Sequence, residues 1–235
     1  NSAGMDAYSS YGNVYAEAND ITTSGDNSAG VDASSFDGNV YIDGNGTIIT
    51  SGLNSAGLDA YSSYGYVDAD NFGSITTSGD NSAGVSAVSF GGDVSAYSSN
   101  AVTTSGDFSN GIQAASYLGD AYAGNDGEVD TSGIYSYGVS AYSYAGNATA
   151  VNSGDVSTTG NYSHGLFAYA YNGVAYVDNS DGHVETSGDY AYGIYAYGYE
   201  GVIVYNGSNT VITSGYSAVG IFGFSAGDYV YIDSG

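Results

Sequence analysis

Hydrophobic and polar residues alternate in short runs along the whole chain, which is the period of a β-strand and not of a helix. Three such runs recur in each repeat, separated by turns rich in glycine and asparagine. The first run carries an apolar column and, two residues later, a column of small residues. The apolar column is Met5, Val31, Leu58, Val85, Ile112, Val139, Leu166, Ile194 and Ile221. The pattern predicts that both columns face a common interior.

The runs repeat at a nearly constant spacing of 26 to 28 residues. Coils begin at residues 1, 27, 54, 81, 108, 135, 162, 190 and 217. A period of this length marks a solenoid, in which each repeat is one unit stacked on its neighbours. The sequence therefore predicts an all-β, single-stranded parallel β-helix of nearly nine coils, with about 27 residues and three strands per coil. Parallel crossovers are overwhelmingly right-handed, so we expect a right-handed helix.

No change of period or composition marks a linker, so residues 1–235 are interpreted as one repeat domain. A glycine follows the first strand of each unit at a fixed place, as at Gly12, Gly38 and Gly65. We expect these glycines to adopt positive φ in the turn, because glycine alone does so without steric cost.

Composition narrows the functional classes. The chain of 235 residues has 25 acidic side chains, no Lys or Arg, and no Cys, Pro or Trp, giving a net charge of −25. Without cationic side chains it has no means of neutralising phosphates, which excludes conventional nucleic-acid binding. No apolar run approaches the length needed to span a bilayer, so no direct membrane span is expected.

The outward positions of the first strand change from acidic to aromatic along the chain. Residues 1–130 hold 17 acids and 10 Tyr, whereas residues 131–235 hold 8 acids and 17 Tyr. Stacked tyrosines stabilise a sheet by themselves, but a contiguous aromatic patch on three adjacent coils also suits self-association, lateral or head-to-tail. The predicted self-association residues are Phe167, Tyr169, Tyr171, Tyr195, Tyr197, Tyr199, Phe222 and Phe224.

Three aspartates occupy the equivalent outward position in the first three coils. Asp6, Asp32 and Asp59 are expected about 4.8 Å apart on successive coils. Like charges at this spacing repel, and Ca²⁺ is the counterion that suits carboxylate oxygens. The sequence thus offers a weak Ca²⁺ site, or else a solvated acidic face; no other cofactor is expected.

Catalysis finds little support in the residues. His164 and His183 are the only histidines, and they are interpreted as substituted surface positions and not as a catalytic pair. Carboxylate pairs serve glycoside hydrolysis in other proteins, so a carbohydrate-active or carbohydrate-binding β-helix, with tyrosines stacked on sugar rings of surface glycans, stays open as the alternative. We therefore expect that the chain is not an enzyme.

The repeat unit Asn-Ser-Ala-Gly-Val-Asp-Ala, followed later by Ile-Thr-Thr-Ser-Gly-Asp, resembles the repeats of bacterial autotransporter passengers and haemagglutinin-type surface adhesins. The resemblance covers the whole chain and implies a right-handed β-helix displayed outside the cell. The sequence analysis therefore favours an extracellular or cell-surface structural protein that associates with itself into a fibre or surface layer, with a role in adhesion or matrix.

Overall fold

A computed structural model describes residues 3–235, and every regular element in that range is a β-strand. Three parallel sheets run along the chain; each of the first eight coils contributes one strand to each sheet, and the ninth contributes one strand to the first two. The first two sheets have nine strands and the third has eight. The prediction of a β-solenoid with about 27 residues per coil is confirmed; its right-handed sense stays a prediction.

Sheet 1 collects the first strand of every coil, and its strands lie in chain order along the rod. Its strands are β1 (Met5–Ser9), β4 (Val31–Ser35), β7 (Leu58–Ser62), β10 (Val85–Ser89), β13 (Ile112–Ser116), β16 (Val139–Ser143), β19 (Leu166–Ala170), β22 (Tyr192–Gly198) and β25 (Val219–Ser225).

Sheets 2 and 3 collect the second and third strands. Sheet 2 comprises β2 (Val14–Ala18), β5 (Val40–Gly44), β8 (Val67–Asn71), β11 (Val94–Ser98), β14 (Ala121–Asn125), β17 (Ala148–Asn152), β20 (Val174–Asp178), β23 (Gly201–Tyr205) and β26 (Tyr229–Asp233). Sheet 3 comprises β3 (Ile21–Thr23), β6 (Thr47–Thr50), β9 (Ser74–Thr77), β12 (Val102–Thr104), β15 (Glu128–Thr131), β18 (Asp155–Thr158), β21 (His183–Thr186) and β24 (Val211–Thr213).

Strand pairing places equivalent residues of successive coils directly opposite each other. Val85 lies opposite Leu58 on one side and Ile112 on the other, and Ile75 lies opposite Ile48 and Val102. Side chains therefore form continuous columns along the rod. At about 4.8 Å per coil, nine coils give a rod roughly 40 Å long.

Columns of apolar side chains fill the interior of the rod. Leu58, Val85 and Ile112 are fully buried, and Ile75 is 1% exposed. Each such side chain contributes about 1.5–3 kcal/mol when it leaves water, but one coil buries too few of them to offset the entropy of ordering its backbone. The stability of the rod therefore depends on the stacking of its coils.

The expectation that the turn glycines adopt positive φ is wrong. Within the described residues, only Gly207 and Gly235 among the glycines do so. Positive φ, between 50° and 58°, occurs instead at the first residue of each coil from the second onward. These residues are Asn27, Asn54, Asn81, Phe108, Tyr135, Tyr162, Tyr190 and Ser217.

Close approach of neighbouring coils, and not φ, requires the glycines. A Cβ at Gly38 would overlap the carbonyl group of Gly12 one coil away, and a Cβ at Gly92 would overlap that of Gly65. The first residue of this column is different, because a Cβ at Gly12 meets only the Ser9 hydroxyl, at 3.3 Å. The column is glycine because the turns stack backbone on backbone.

Buried polar side chains form ladders at two corners, which the alternation of hydrophobic residues did not reveal. Between sheets 3 and 1, six threonines each donate a hydrogen bond of 2.5–2.8 Å to a serine carbonyl five residues later, beginning with Thr23 and Ser28. The equivalent threonine of the seventh coil, Thr186, is followed five residues later by Ala191, and its buried hydroxyl has no hydrogen-bond partner.

Between sheets 2 and 3, asparagine amides bond from coil to coil. Asn125, Asn152, Asn179 and Asn206 are linked by amide-to-amide hydrogen bonds of 2.8–2.9 Å, each donating to the next. All four are less than 5% exposed. Because every buried amide finds a partner one coil away, the ladder holds the coils in register without the cost of an unpaired polar group.

Candidate interaction surface

The predicted self-association residues gather on the outside of sheet 1, on β19, β22 and β25 and the turns that follow. Phe167 lies opposite Tyr195, which lies opposite Phe222; the parallel column is Tyr169, Tyr197 and Phe224. Here the eight residues are called the aromatic face, and they are Phe167, Tyr169, Tyr171, Tyr195, Tyr197, Tyr199, Phe222 and Phe224. The strand register brings six of them into two adjacent columns.

Rings in these columns stack on one another. The ring centroids of Tyr169 and Tyr197 are 4.5 Å apart with planes 12° from parallel, and those of Tyr197 and Phe224 are 5.6 Å apart. The second column has centroid distances of 5.3 Å and 5.2 Å, from Phe167 to Tyr195 and on to Phe222. Each stacked pair contributes about 0.5–1.5 kcal/mol beyond the area it buries.

The expectation that all eight side chains are exposed is only partly right. Tyr171, Tyr199 and Phe224 are exposed, at 45%, 52% and 48%. The other five are half-buried, because each ring covers the face of its neighbour on the next coil. What these five present to solvent is mainly ring edges.

A histidine belongs to the same cluster, which sequence reasoning missed. The His164 ring lies between the rings of Tyr137 and Tyr192, with centroid distances of 5.1 Å and 5.0 Å, and its Nδ1 accepts a hydrogen bond from the Tyr192 amide at 3.0 Å. Burial lowers the pKa of His164 to about 4. His164 is therefore a half-buried, neutral ring within an aromatic stack. That it is a substituted surface position and not a catalytic residue stays a prediction.

Two further columns of stacked rings were not predicted from the sequence. Phe90, Tyr117, Tyr144 and Tyr171 form a stack with centroid distances of 4.6–4.8 Å along the edge of sheet 1. At the corner before sheet 1, Phe108, Tyr135, Tyr162 and Tyr190 stack at 4.9–5.5 Å. These last four have positive φ, which costs roughly 1–2 kcal/mol for a side chain with a Cβ. Ring stacking offsets that cost.

The chain has no match among protein-family models, curated proteins or solved structures. The resemblance to autotransporter passengers and surface adhesins thus stays a prediction.

The three aspartates of the first coils lie in one column, with Asp32 opposite both Asp6 and Asp59. Burial, and then the neighbouring carboxylate, raises the pKa of Asp32 and of Asp59, although a Ser86 hydrogen bond partly opposes the shift at Asp59. Within residues 3–235 no group of three or more His, Asp or Glu side chains is arranged to hold a metal ion. The Ca²⁺ site at Asp6, Asp32 and Asp59 stays a prediction.

Sheet 2 carries a second acidic cluster that the sequence analysis did not single out. Asp70 lies opposite Asp43 on the preceding coil and two residues after Asp68. Burial, then the Asp68 and Asp43 carboxylates, raises the pKa of Asp70 to about 6. Ionising Asp70 therefore costs more free energy in the folded chain than in the unfolded chain.

This cluster predicts a pH-dependent effect of Asp70→Asn. Because the folded pKa is raised from 3.8, the contribution of Asp70 to stability is complete below about 3.8 and is lost as the pH rises through about 6. We expect the variant to be more stable than the parent by about 1–2 kcal/mol at neutral pH, after allowing for solvent screening. Urea unfolding at several pH values measures the difference, which should shrink as the pH falls toward 4.

Asp37→Asn is the matched control, since Asp37 is an exposed carboxylate on the second coil. Its replacement should change the free energy of unfolding by less than about 0.5 kcal/mol at neutral pH, as expected for an exposed position. An Asp70→Asn variant that is equally stable or less stable than the parent at neutral pH contradicts the electrostatic account.

The second histidine lies away from the aromatic face, in a polar groove on the side of the rod. His183 is opposite Asp155 on β18, and the groove, of about 420 Å³, is also lined by Asp126, Glu128 and Asp181. The groove is open to solvent, and its carboxylates are spread over three successive coils. That the chain is no enzyme stays a prediction.

No helix among the described residues has the length and apolar character to cross a bilayer.

Proposed function

We propose that this chain is a structural rod of an extracellular or cell-surface assembly, and that copies associate through the aromatic face. The observation that carries the proposal is the pair of stacked columns ending at Phe222 and Phe224, beside the exposed rings of Tyr171 and Tyr199. A contiguous aromatic surface of this kind is typical of a contact between proteins.

The rest of the rod suits a mechanical role. Backbone pairing and apolar columns link each coil to its neighbours along the rod axis. The ladder of buried amides from Asn125 to Asn206 adds side-chain hydrogen bonds between four of the coils. The chain also contains no Lys or Arg, so trypsin-like proteases have no cleavage site in it. Both features support a role in a fibre or surface layer, in adhesion or matrix.

Glycan binding along the aromatic columns has weaker support. Sugars stack on ring faces, but neighbouring rings already cover these faces, as the near-parallel planes of Tyr169 and Tyr197 show. Packing of ring edges against a second rod needs no free face. Carbohydrate binding stays the alternative that the experiment below must separate.

The triple variant Tyr171→Ser, Tyr199→Ser, Phe224→Ser tests the proposed contact. It removes the exposed rings and leaves the half-buried stacked ones in place. We expect circular dichroism to be unchanged and the mass of the assemblies, measured by light scattering and electron microscopy, to fall to that of single chains. Losing three rings at an interface costs roughly 1–3 kcal/mol each, enough to dissociate a moderate contact.

A matched triple variant provides the control. Tyr8, Tyr11 and Tyr64 are exposed rings in the acidic half of the chain, at 68%, 84% and 58%, and their replacement by serine should leave assembly intact. Polymers that survive the first triple variant overturn the proposed interface. A parent chain that stays monomeric but binds glycans favours the carbohydrate alternative.

A further inference from the structure

One aromatic column on sheet 1 is interrupted by two coils without a ring. Tyr61 lies opposite Val88, Val88 lies opposite Ala115, and Ala115 lies opposite Tyr142. Where this sheet carries stacked rings, one ring occupies each coil, as in the Phe90–Tyr117 pair at 4.7 Å. The column therefore lacks two consecutive rings between Tyr61 and Tyr142, which stand about 14 Å apart at 4.8 Å per coil.

The gap forms a notch with aromatic walls and an apolar floor. Its volume is about 200 Å³, and its lining includes Tyr61, Val88, Ala115 and Tyr142, with the stacked rings of Phe90 and Tyr117 along one side. Two serines lie beneath the notch, and their hydroxyls already make hydrogen bonds within the rod. The Ser89 hydroxyl donates to the Gly65 carbonyl and accepts from the Gly92 amide. Ser116 makes the same pair of bonds one coil on.

One face of the Tyr142 ring is directed toward the notch. Tyr142 stacks on Tyr169 on one side only, so its other side is not covered by a ring of this column. A cavity of about 150 Å³ accommodates a benzene molecule, so the notch has room for a somewhat larger flat group. The committed serines leave few donors and acceptors for sugar hydroxyls, which favours an aromatic ligand over a carbohydrate.

The negative charge of the chain favours a cationic ligand at this site. The chain carries a net charge of −25 with no Lys or Arg, and Asp59 is the neighbouring outward residue on the strand that bears Tyr61. The faces of aromatic rings attract cations in addition. We propose that the notch between Tyr61 and Tyr142 binds a planar aromatic cation. This site adjoins the aromatic face, because Tyr142 stacks on Tyr169, but none of the eight aromatic-face residues lines it, and it does not depend on the proposed assembly.

Titration with thioflavin T, a planar aromatic cation, tests the site in the full chain. We expect one dye to bind per chain at the notch, by calorimetry and fluorescence. Ala115→Tyr restores a ring to the column and fills the notch, so this binding should be lost. Tyr61→Ala removes one wall and should weaken binding by about tenfold. Circular dichroism confirms that each variant is folded.

Thr149→Tyr is the matched control for adding a ring. Thr149 is an outward residue of sheet 2 that lies between Tyr122 and Tyr176, and adding a tyrosine there should leave the affinity within about twofold. The neutral, demethylated analogue of the dye should bind about tenfold more weakly than the cation.

Three results overturn the proposal. Undiminished binding to folded Ala115→Tyr places the dye elsewhere on the rod. Equal affinity for the neutral analogue removes the preference for a cation. Dye binding that weakens as the protein concentration rises shows that a second copy occupies the notch.

Discussion

Ile75→Asp should unfold the solenoid. Ile75 is 1% exposed and lies between Ile48 and Val102 in the interior column of sheet 3. No cationic side chain exists anywhere in the chain to pair with a buried carboxylate. An unpaired charge at this depth, together with the lost apolar contacts, costs about 5 kcal/mol or more, a large share of the stability of an ordinary domain.

Circular dichroism and urea unfolding measure this loss. Thr76→Asp is the control, because Thr76 is the adjacent residue of the same strand and faces solvent. It should change the free energy of unfolding by less than about 1 kcal/mol. A folded Ile75→Asp chain with an unchanged unfolding midpoint contradicts the assignment of this column to the core.

Gly92→Ala should destabilise the rod although it adds a single methyl group. A Cβ at residue 92 would overlap the carbonyl group of Gly65 and approach the amide nitrogen of Tyr66 at 2.9 Å. These are backbone atoms, so no rotamer change relieves the overlap. The two turns have to separate, which breaks the ladder between them, and we expect a loss of about 3 kcal/mol.

Gly12→Ala tests the same substitution in the same column without the overlap. Its nearest neighbour would be the Ser9 hydroxyl at 3.3 Å, which a small shift accommodates, so the unfolding midpoint should change little. If Gly12→Ala and Gly92→Ala lose similar amounts of unfolding free energy, the turn needs glycine for its backbone conformation. The explanation by close approach between coils is then contradicted.

The candidate surface was only half predictable. The period of two placed Phe167, Tyr195 and Phe222 outside sheet 1, and the repeat length placed them on adjacent coils, as found. Their half-burial was not predictable from alternation, because it arises from rings on neighbouring coils and not from the residues next to them in the chain. For the same reason the ring environment of His164 escaped the sequence analysis.

The notch between Tyr61 and Tyr142 was also not predictable from the residues of one strand. Val88 and Ala115 are ordinary outward residues of their own strands. Only the alignment of four successive coils shows that they leave a gap in a column of rings. A comparison of the repeats column by column contains this signal, since Val and Ala replace Tyr at one position in two consecutive units.

The amino-acid sequence by itself determined the strands, the three-sided coil, the number of coils and the side of each strand that faces the core, because these follow from periodicities within one repeat. The tertiary structure decided which atoms meet between repeats: why the turn column is glycine, and which rings cover each other. Those contacts depend on the separation of two backbones about 4.8 Å apart. That distance belongs to the stack and to no single coil.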